Sequence, residues 1–135
     1  MAGDDAPVPV AGRPWFTEAL DEPDPVRSVQ LHARNLCWIL GRVVPLLRAL
    51  EAAAAVDEDA AALWADLRRQ RRTGTATVAA NLAAKTTLRC GEQVLADMLF
   101  TLPPDAYYRL VCEEGWPTET FQGWLADLLQ RVCLP

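Results

Sequence analysis

DAYYRLVCEEGWPTETFQGWLADLLQRVCLP, residues Asp105 to Pro135, decides the fold: it reads as two helices joined by a Gly-Trp-Pro corner at Gly115-Trp116-Pro117. In the second helix Phe121, Trp124, Leu125, Leu128, Leu129, Val132 and Cys133 recur at helical spacing, which gathers nearly every bulky apolar side chain onto one stripe. In the first, Tyr107, Leu110 and Val111 share a face. Stripes this apolar must be covered, either by the chain's own core or by a second copy of the chain, and at this level both uses stay open.

Upstream of that stretch, Val94, Leu95, Met98, Leu99 and Leu102 mark a short helix that Pro103-Pro104 is expected to stop. Lys85 to Glu92 reads as a connection with Gly91 as its turn residue. Before it, Asp57 is a helix cap with acids in the following turn, and Leu63, Trp64, Leu67, Arg71, Gly74, Val78 and Leu82 continue one face to about Ala84. The middle of this helix carries the only basic cluster, Arg68-Arg69-Gln70-Arg71-Arg72. Consecutive helical positions point in different directions, so the cluster reads as a solvated face or as partners for carboxylates rather than as a nucleic-acid patch. Arg71 is the exception. Its phase puts it on the apolar side, where a guanidinium requires a buried acceptor from a neighbouring helix or a ligand.

The clearest start signal is Asp24-Pro25, a cap followed by proline at the first helical position. The long helix after it carries a stripe through Val29, Ala33, Leu36, Cys37, Leu40, Val44 and Leu47, with Leu31, Trp38, Ile39 and Leu46 widening the apolar surface, so it is expected to be central. Pro45 predicts a kink or a short break near Gly41 to Val44. Such a stretch is a plausible cavity wall, and His32 and Asn35 bring hydrogen-bonding groups close to Trp38, a mixture that suits a small-molecule pocket. Arg13 to Leu20, with Pro14 at its start, predicts a short helix packed on a larger neighbour, and residues 1–12 read as a disordered or extended lead-in.

At 135 residues the chain suffices for one domain, here 13–135, and Ala and Leu dominate its apolar content, which points to an all-α bundle of about six antiparallel helices. The formal charge of −5 argues against nucleic-acid contact by these residues. No apolar run is long enough to span a bilayer and no signal peptide is written, so the expected location is cytoplasmic, without membrane contact. Cys37, Cys90, Cys112 and Cys133 are too scattered for a zinc site or redox motif and read as reduced, mostly buried thiols. One histidine makes neither a triad nor a metal site, and no phosphate loop is present; no enzyme activity and no cofactor are expected.

The order of these pieces resembles the C-terminal ligand-binding and dimerisation domain of TetR-family bacterial transcriptional regulators. The resemblance is carried by Arg13-Pro14-Trp15, Asp24-Pro25, the Ala-rich passage Leu50 to Ala55, Ala61-Ala62-Leu63-Trp64, Gln70-Arg71-Arg72-Thr73-Gly74 and Tyr108-Arg109-Leu110-Val111. Its most specific part is Gly115-Trp116 followed by Trp124-Leu125-Ala126 and Leu128-Leu129. It implies a domain whose last two helices pair with those of a second subunit as a four-helix bundle, and a pocket among the middle helices for a lipophilic or aromatic effector. Ligand binding would then shift the spacing of two DNA-reading heads. The family's N-terminal helix-turn-helix is missing here, so DNA contact is expected only through that absent domain, and the chain reads as an excised piece or a truncated gene product. Pro117-Thr118 stands where relatives tend to have Ser-Pro, which leaves Thr118 as a candidate cap.

From helical phase, the inward-facing pocket residues are expected to be Asn35, Trp38, Ile39, Leu67, Arg71, Val78, Met98 and Leu99. The homodimer interface is expected from Tyr107, Leu110, Val111, Phe121, Trp124, Leu125, Leu128, Leu129 and Val132. A second reading is a stand-alone helical adaptor that dimerises with a full-length regulator without binding a ligand.

Overall fold

Proline and aspartate write the helix starts. In the computed structural model, which describes residues 12–135, Pro14 opens α1 (Pro14–Asp21) and Pro25 opens α2 (Pro25–Ala54). The Asp24 carboxylate accepts the Val26 amide at 3.3 Å, and that of Asp57 accepts the Ala60 amide at 2.8 Å to cap α3 (Glu58–Lys85). Glu58 and Asp59 in the first turn of α3 and Lys85 in its last complement the helix dipole at both ends. Gly91, at φ +81°, makes the left-handed turn into α4 (Glu92–Tyr107), and Gly115, at φ +76°, turns the chain towards α5 (Thr118–Cys133). The lead-in expected over residues 1–12 lies, apart from Gly12, outside the described residues.

The two places where proline was expected to interrupt or stop a helix are both helical. α2 runs unbroken through Pro45, so the short break near Gly41 to Val44 is absent. Pro45 and Gly41 are both exposed, and the carbonyl that proline deprives of its helical donor is that of Gly41. α4 likewise continues through Pro103 and Pro104 to Tyr107. Pro104 frees the carbonyl of Phe100, and the Arg71 guanidinium donates to that oxygen at 2.6 Å. The acceptor that Arg71 required from a neighbouring helix is therefore one that a proline made available.

Beyond Tyr107 the chain widens into a π-helical segment, Tyr108–Glu113, whose end shows the i to i+5 bond from the Glu114 amide to the Arg109 carbonyl at 3.0 Å. The separate helix expected after the proline pair is thus the continuation of α4. Among the described residues there are five α-helices plus this π segment, where about six helices were expected, and no strand. Pro117, not Thr118, holds the cap position of α5, and no side chain caps it.

α2 is the central element and packs against α1, α3, α4 and α5. It runs antiparallel to α3, because Leu47 and Leu50 cluster with Leu67 near the connecting turn, whereas Ser28 meets Lys85 at the far end. Val29, Ala33, Cys37, Leu40 and Val44 of α2 join Leu95 and Leu99 of α4 and Phe121, Leu125 and Leu129 of α5 in the main core. α1 is fixed by its carbonyls: Asn35 donates to Trp15 at 2.8 Å, Ser28 to Ala19 at 2.8 Å, Asn81 to Leu20 at 3.0 Å and Lys85 to Ala19 at 3.2 Å. No helix among the described residues is long and apolar enough to cross a membrane.

Candidate functional site

The apolar stripe of α2 does two jobs. Val29, Ala33, Leu40 and Val44 face the main core, while His32, Asn35, Leu36, Ile39, Leu40, Val43 and Leu47, at the same helical period, face a cavity of about 200 Å³ between α2, α3 and α4. α3 supplies Leu67, Gln70, Arg71, Gly74, Thr75 and Val78, again at helical spacing; α4 supplies Leu99 and Pro104, α5 supplies Leu129, and Phe16 of α1 closes one end. Gly74 widens the space, since a Cβ built there meets nothing within 4 Å.

Six of the eight expected pocket residues, Asn35, Ile39, Leu67, Arg71, Val78 and Leu99, line this cavity. Trp38 and Met98 do not. Trp38 is 44% exposed, meets Trp15 edge-on at 5.5 Å, carries the Arg42 guanidinium 5.3 Å from its ring and lines a separate outward groove. Three residues beyond Asn35, it lies on the other flank of that side chain, which borders both hollows. Met98 precedes Leu99 by one residue, about 100° round the helix, and is half-buried outside the lining. His32, outside the expected set of eight, also lines the cavity. Its signal was the phase it shares with Asn35, Leu36 and Ile39.

His32 is the cavity's most informative polar group. It is 6% exposed, its Nε2 is buried with no hydrogen-bond partner, and its ring stands 6.1 Å from that of Phe16. Burial foremost, then the charge of Lys85, push its pKa down to about 4, opposed by a side-chain hydrogen bond with Asn81, so the imidazole is neutral at pH 7. Lys85 reaches Ala19, Ser28 at 3.0 Å and Asn81 at 2.7 Å, and burial lowers its pKa as well. The imidazole therefore adds a neutral, deeply buried polar group to a mainly apolar wall.

At the other end stand the arginines. Arg71, Arg68 and Arg72 lie 4.6, 5.0 and 4.0 Å from the ring of Phe100. Burial, and then the like charges of Arg68 and Arg72, lower the pKa of Arg71, partly offset by Asp105. Arg72 pairs with Asp97 at 2.6 Å and Arg69 with Asp66, which fits the expectation of ion-pair partners for part of the cluster.

The expected dimer face divides in two. Tyr107, Phe121, Leu125 and Leu129 are buried in the chain's own core, Tyr107 and Phe121 meeting edge-on at 5.1 Å, so they are not available to a partner. The reason is geometric: the i, i+4, i+8 row of α5 points at α2, and the i+3, i+7, i+11 row lies on its flank. Leu110, Val111, Trp124 and Leu128 are half-buried, Val132 is exposed, and Trp124 meets Trp116 edge-on at 6.3 Å. Of the cysteines, all free, Cys37 and Cys133 are buried, Cys90 is half-buried and Cys112 is exposed. No family model, no curated protein and no solved structure matches the chain.

Proposed function

We propose that this chain is a small-molecule-sensing and dimerising domain of the kind found in TetR-type regulators. The observation that carries the reading is the cavity between α2, α3 and α4, lined mainly by apolar side chains with the buried, neutral His32 among them. At about 200 Å³ it exceeds an engineered apolar cavity of about 150 Å³ that binds benzene, so a small lipophilic or aromatic molecule fits the space. α1 rests on the same walls through Phe16 and on Asn35 through the Trp15 carbonyl, which gives an occupant a route to the N-terminal helix. The half-buried strip of Leu110, Val111, Trp124 and Leu128, bordered by exposed Val132, supports a homodimer through the π segment and α5. DNA contact belongs in this reading to a helix-turn-helix outside the sequence described.

A thermal-shift screen with uncharged lipophilic and aromatic compounds tests the sensing half. A ligand at a hundred times its Kd adds about 2.7 kcal/mol, a shift of several degrees. Absence of any shift across such a set removes the cavity reading. Light scattering tests the other half: the parent chain is expected to be dimeric at tens of micromolar, and Trp124→Asp is expected to make it monomeric with its helicity kept. A monomeric parent removes the dimer.

A further inference from the structure

Three residues of the cavity wall are shared with a neighbouring hollow. Arg71, Leu47 and Pro104 also border a second hollow of about 140 Å³ on the outer side of the same helices, which adds Arg48 and Arg68 to its walls. The Arg48 guanidinium carbon lies 3.7 Å from the centre of the Tyr108 ring and that of Arg68 5.0 Å from the centre of the Phe100 ring, so both cations rest against aromatic rings. Neither arginine forms an ion pair among the described residues, although Glu51 and Asp105 line the same hollow. Three guanidinium groups against two carboxylates leave one positive charge over, next to Arg71, which also lines the apolar cavity.

We propose that the occupant is an elongated monocarboxylic acid, with its carboxylate against Arg48, Arg68 and Arg71 and its alkyl or aryl body lying along α2 towards His32. The proposal rests on the cavity being a ligand site and adds the ligand's class. The surplus of one charge suits a monoanion better than a phosphate dianion, and a guanidinium fork matches the planar carboxylate. The length of the space sets the shape. His32 and Leu47 are fifteen positions apart on α2, about 22 Å at the helical rise, while the volume is small, so the body is slender. The like-charge strain that Arg68 and Arg72 place on Arg71 is relieved when an anion binds.

Calorimetric titration of the full chain at pH 7 with octanoic, decanoic and dodecanoic acids, and with their methyl esters, tests this. In the parent the acid is expected to bind about tenfold more tightly than its ester. Arg48→Gln and Arg68→Gln, neither of which removes a hydrogen bond within the chain, are expected to weaken the acid about five- to tenfold and leave the ester unchanged, with the melting temperature as the folding control. Equal affinity for acid and ester, or an acid preference that both variants leave intact, overturns the arginine head-group site while the cavity reading stands. If neither acids nor esters bind the parent, the head-group site is overturned, and the uncharged-compound screen decides the cavity on its own.

Discussion

α5 and α3 both pack on α2, yet they fill their share of the molecule differently. α5 buries Phe121, Leu125, Leu129 and Cys133 within 16 residues, and Phe121 and Leu125 have no exposed surface at all. α3 has 28 residues and buries only Leu67, Ala79 and Leu82; between Leu67 and Ala79 it presents Arg71, Gly74, Thr75 and Val78 to a hollow. A helix that packs at native density has little freedom to admit a guest, because interiors are close-packed and voids larger than a water molecule are few. The α5 side carries stability, and the α3 side keeps space.

The largest effect is expected on the filled side. Phe121 touches Tyr107 and Trp124, at 5.1 and 5.5 Å between rings, and its removal leaves a hole that the surrounding helices can close only in part. Phe121→Ala is expected to cost about 3–5 kcal/mol, read as a lowered denaturation midpoint in urea. A cost under about 1 kcal/mol would mean that α5 is as loosely packed as α3, and the contrast between them would collapse.

On the hollow side the corresponding lever is pH. His32 has a folded pKa of about 4 against an ordinary 6.5, so the unfolded chain binds a proton that the folded chain refuses in that interval. Its contribution is fully present above pH 6.5 and is lost as the pH falls through 6.5 towards 4. The shift corresponds to something on the order of 3 kcal/mol over the whole interval, with about 2 kcal/mol gone by pH 5. Urea melts at pH 7 and pH 5 on the parent and on His32→Gln check it, since His32 is the only histidine. A variant with the same pH slope as the parent would show that the imidazole is hydrated and the wall around it open.

Much of this contrast was legible in the sequence. The α5 stripe is dense in Phe, Trp and Leu, and period alone told that it must be covered; what period did not tell is which row faces inward, because α2 selects Phe121, Leu125 and Leu129 and leaves Trp124 and Leu128 on the flank. For α3 the need of Arg71 for an acceptor was readable, but its partner was not. The Phe100 carbonyl becomes free only because Pro104 lies inside a helix, whereas the sequence rule reads a proline pair as a stop. Trp38 was misplaced for a similar reason: aromatic character suggested a pocket, while the side chain packs on Trp15, a contact made only once α1 folds back on α2.

Glycine offers the smallest and most direct comparison, because each helix has one at which an added Cβ meets nothing within 4 Å: Gly74 in α3 and Gly123 in α5. Neither has a positive φ, so alanine is accepted at both without strain. Each substitution is expected to stabilise by about 1 kcal/mol through helix propensity, a rise of a few degrees in melting temperature. Their effects on binding must then differ. Gly123 is exposed, and Gly123→Ala leaves the affinity for any compound found by the thermal-shift screen unchanged. Gly74 lines the cavity, so its new methyl group occupies space that the ligand needs, and Gly74→Ala is expected to weaken binding several-fold while making the protein more stable. Stability and affinity moving in opposite directions at one position, and not at the other, separates an occupied site from a packing defect. A defect gains from being filled and has no ligand to lose, so unchanged binding in Gly74→Ala would assign the hollow beside α3 to imperfect packing alone.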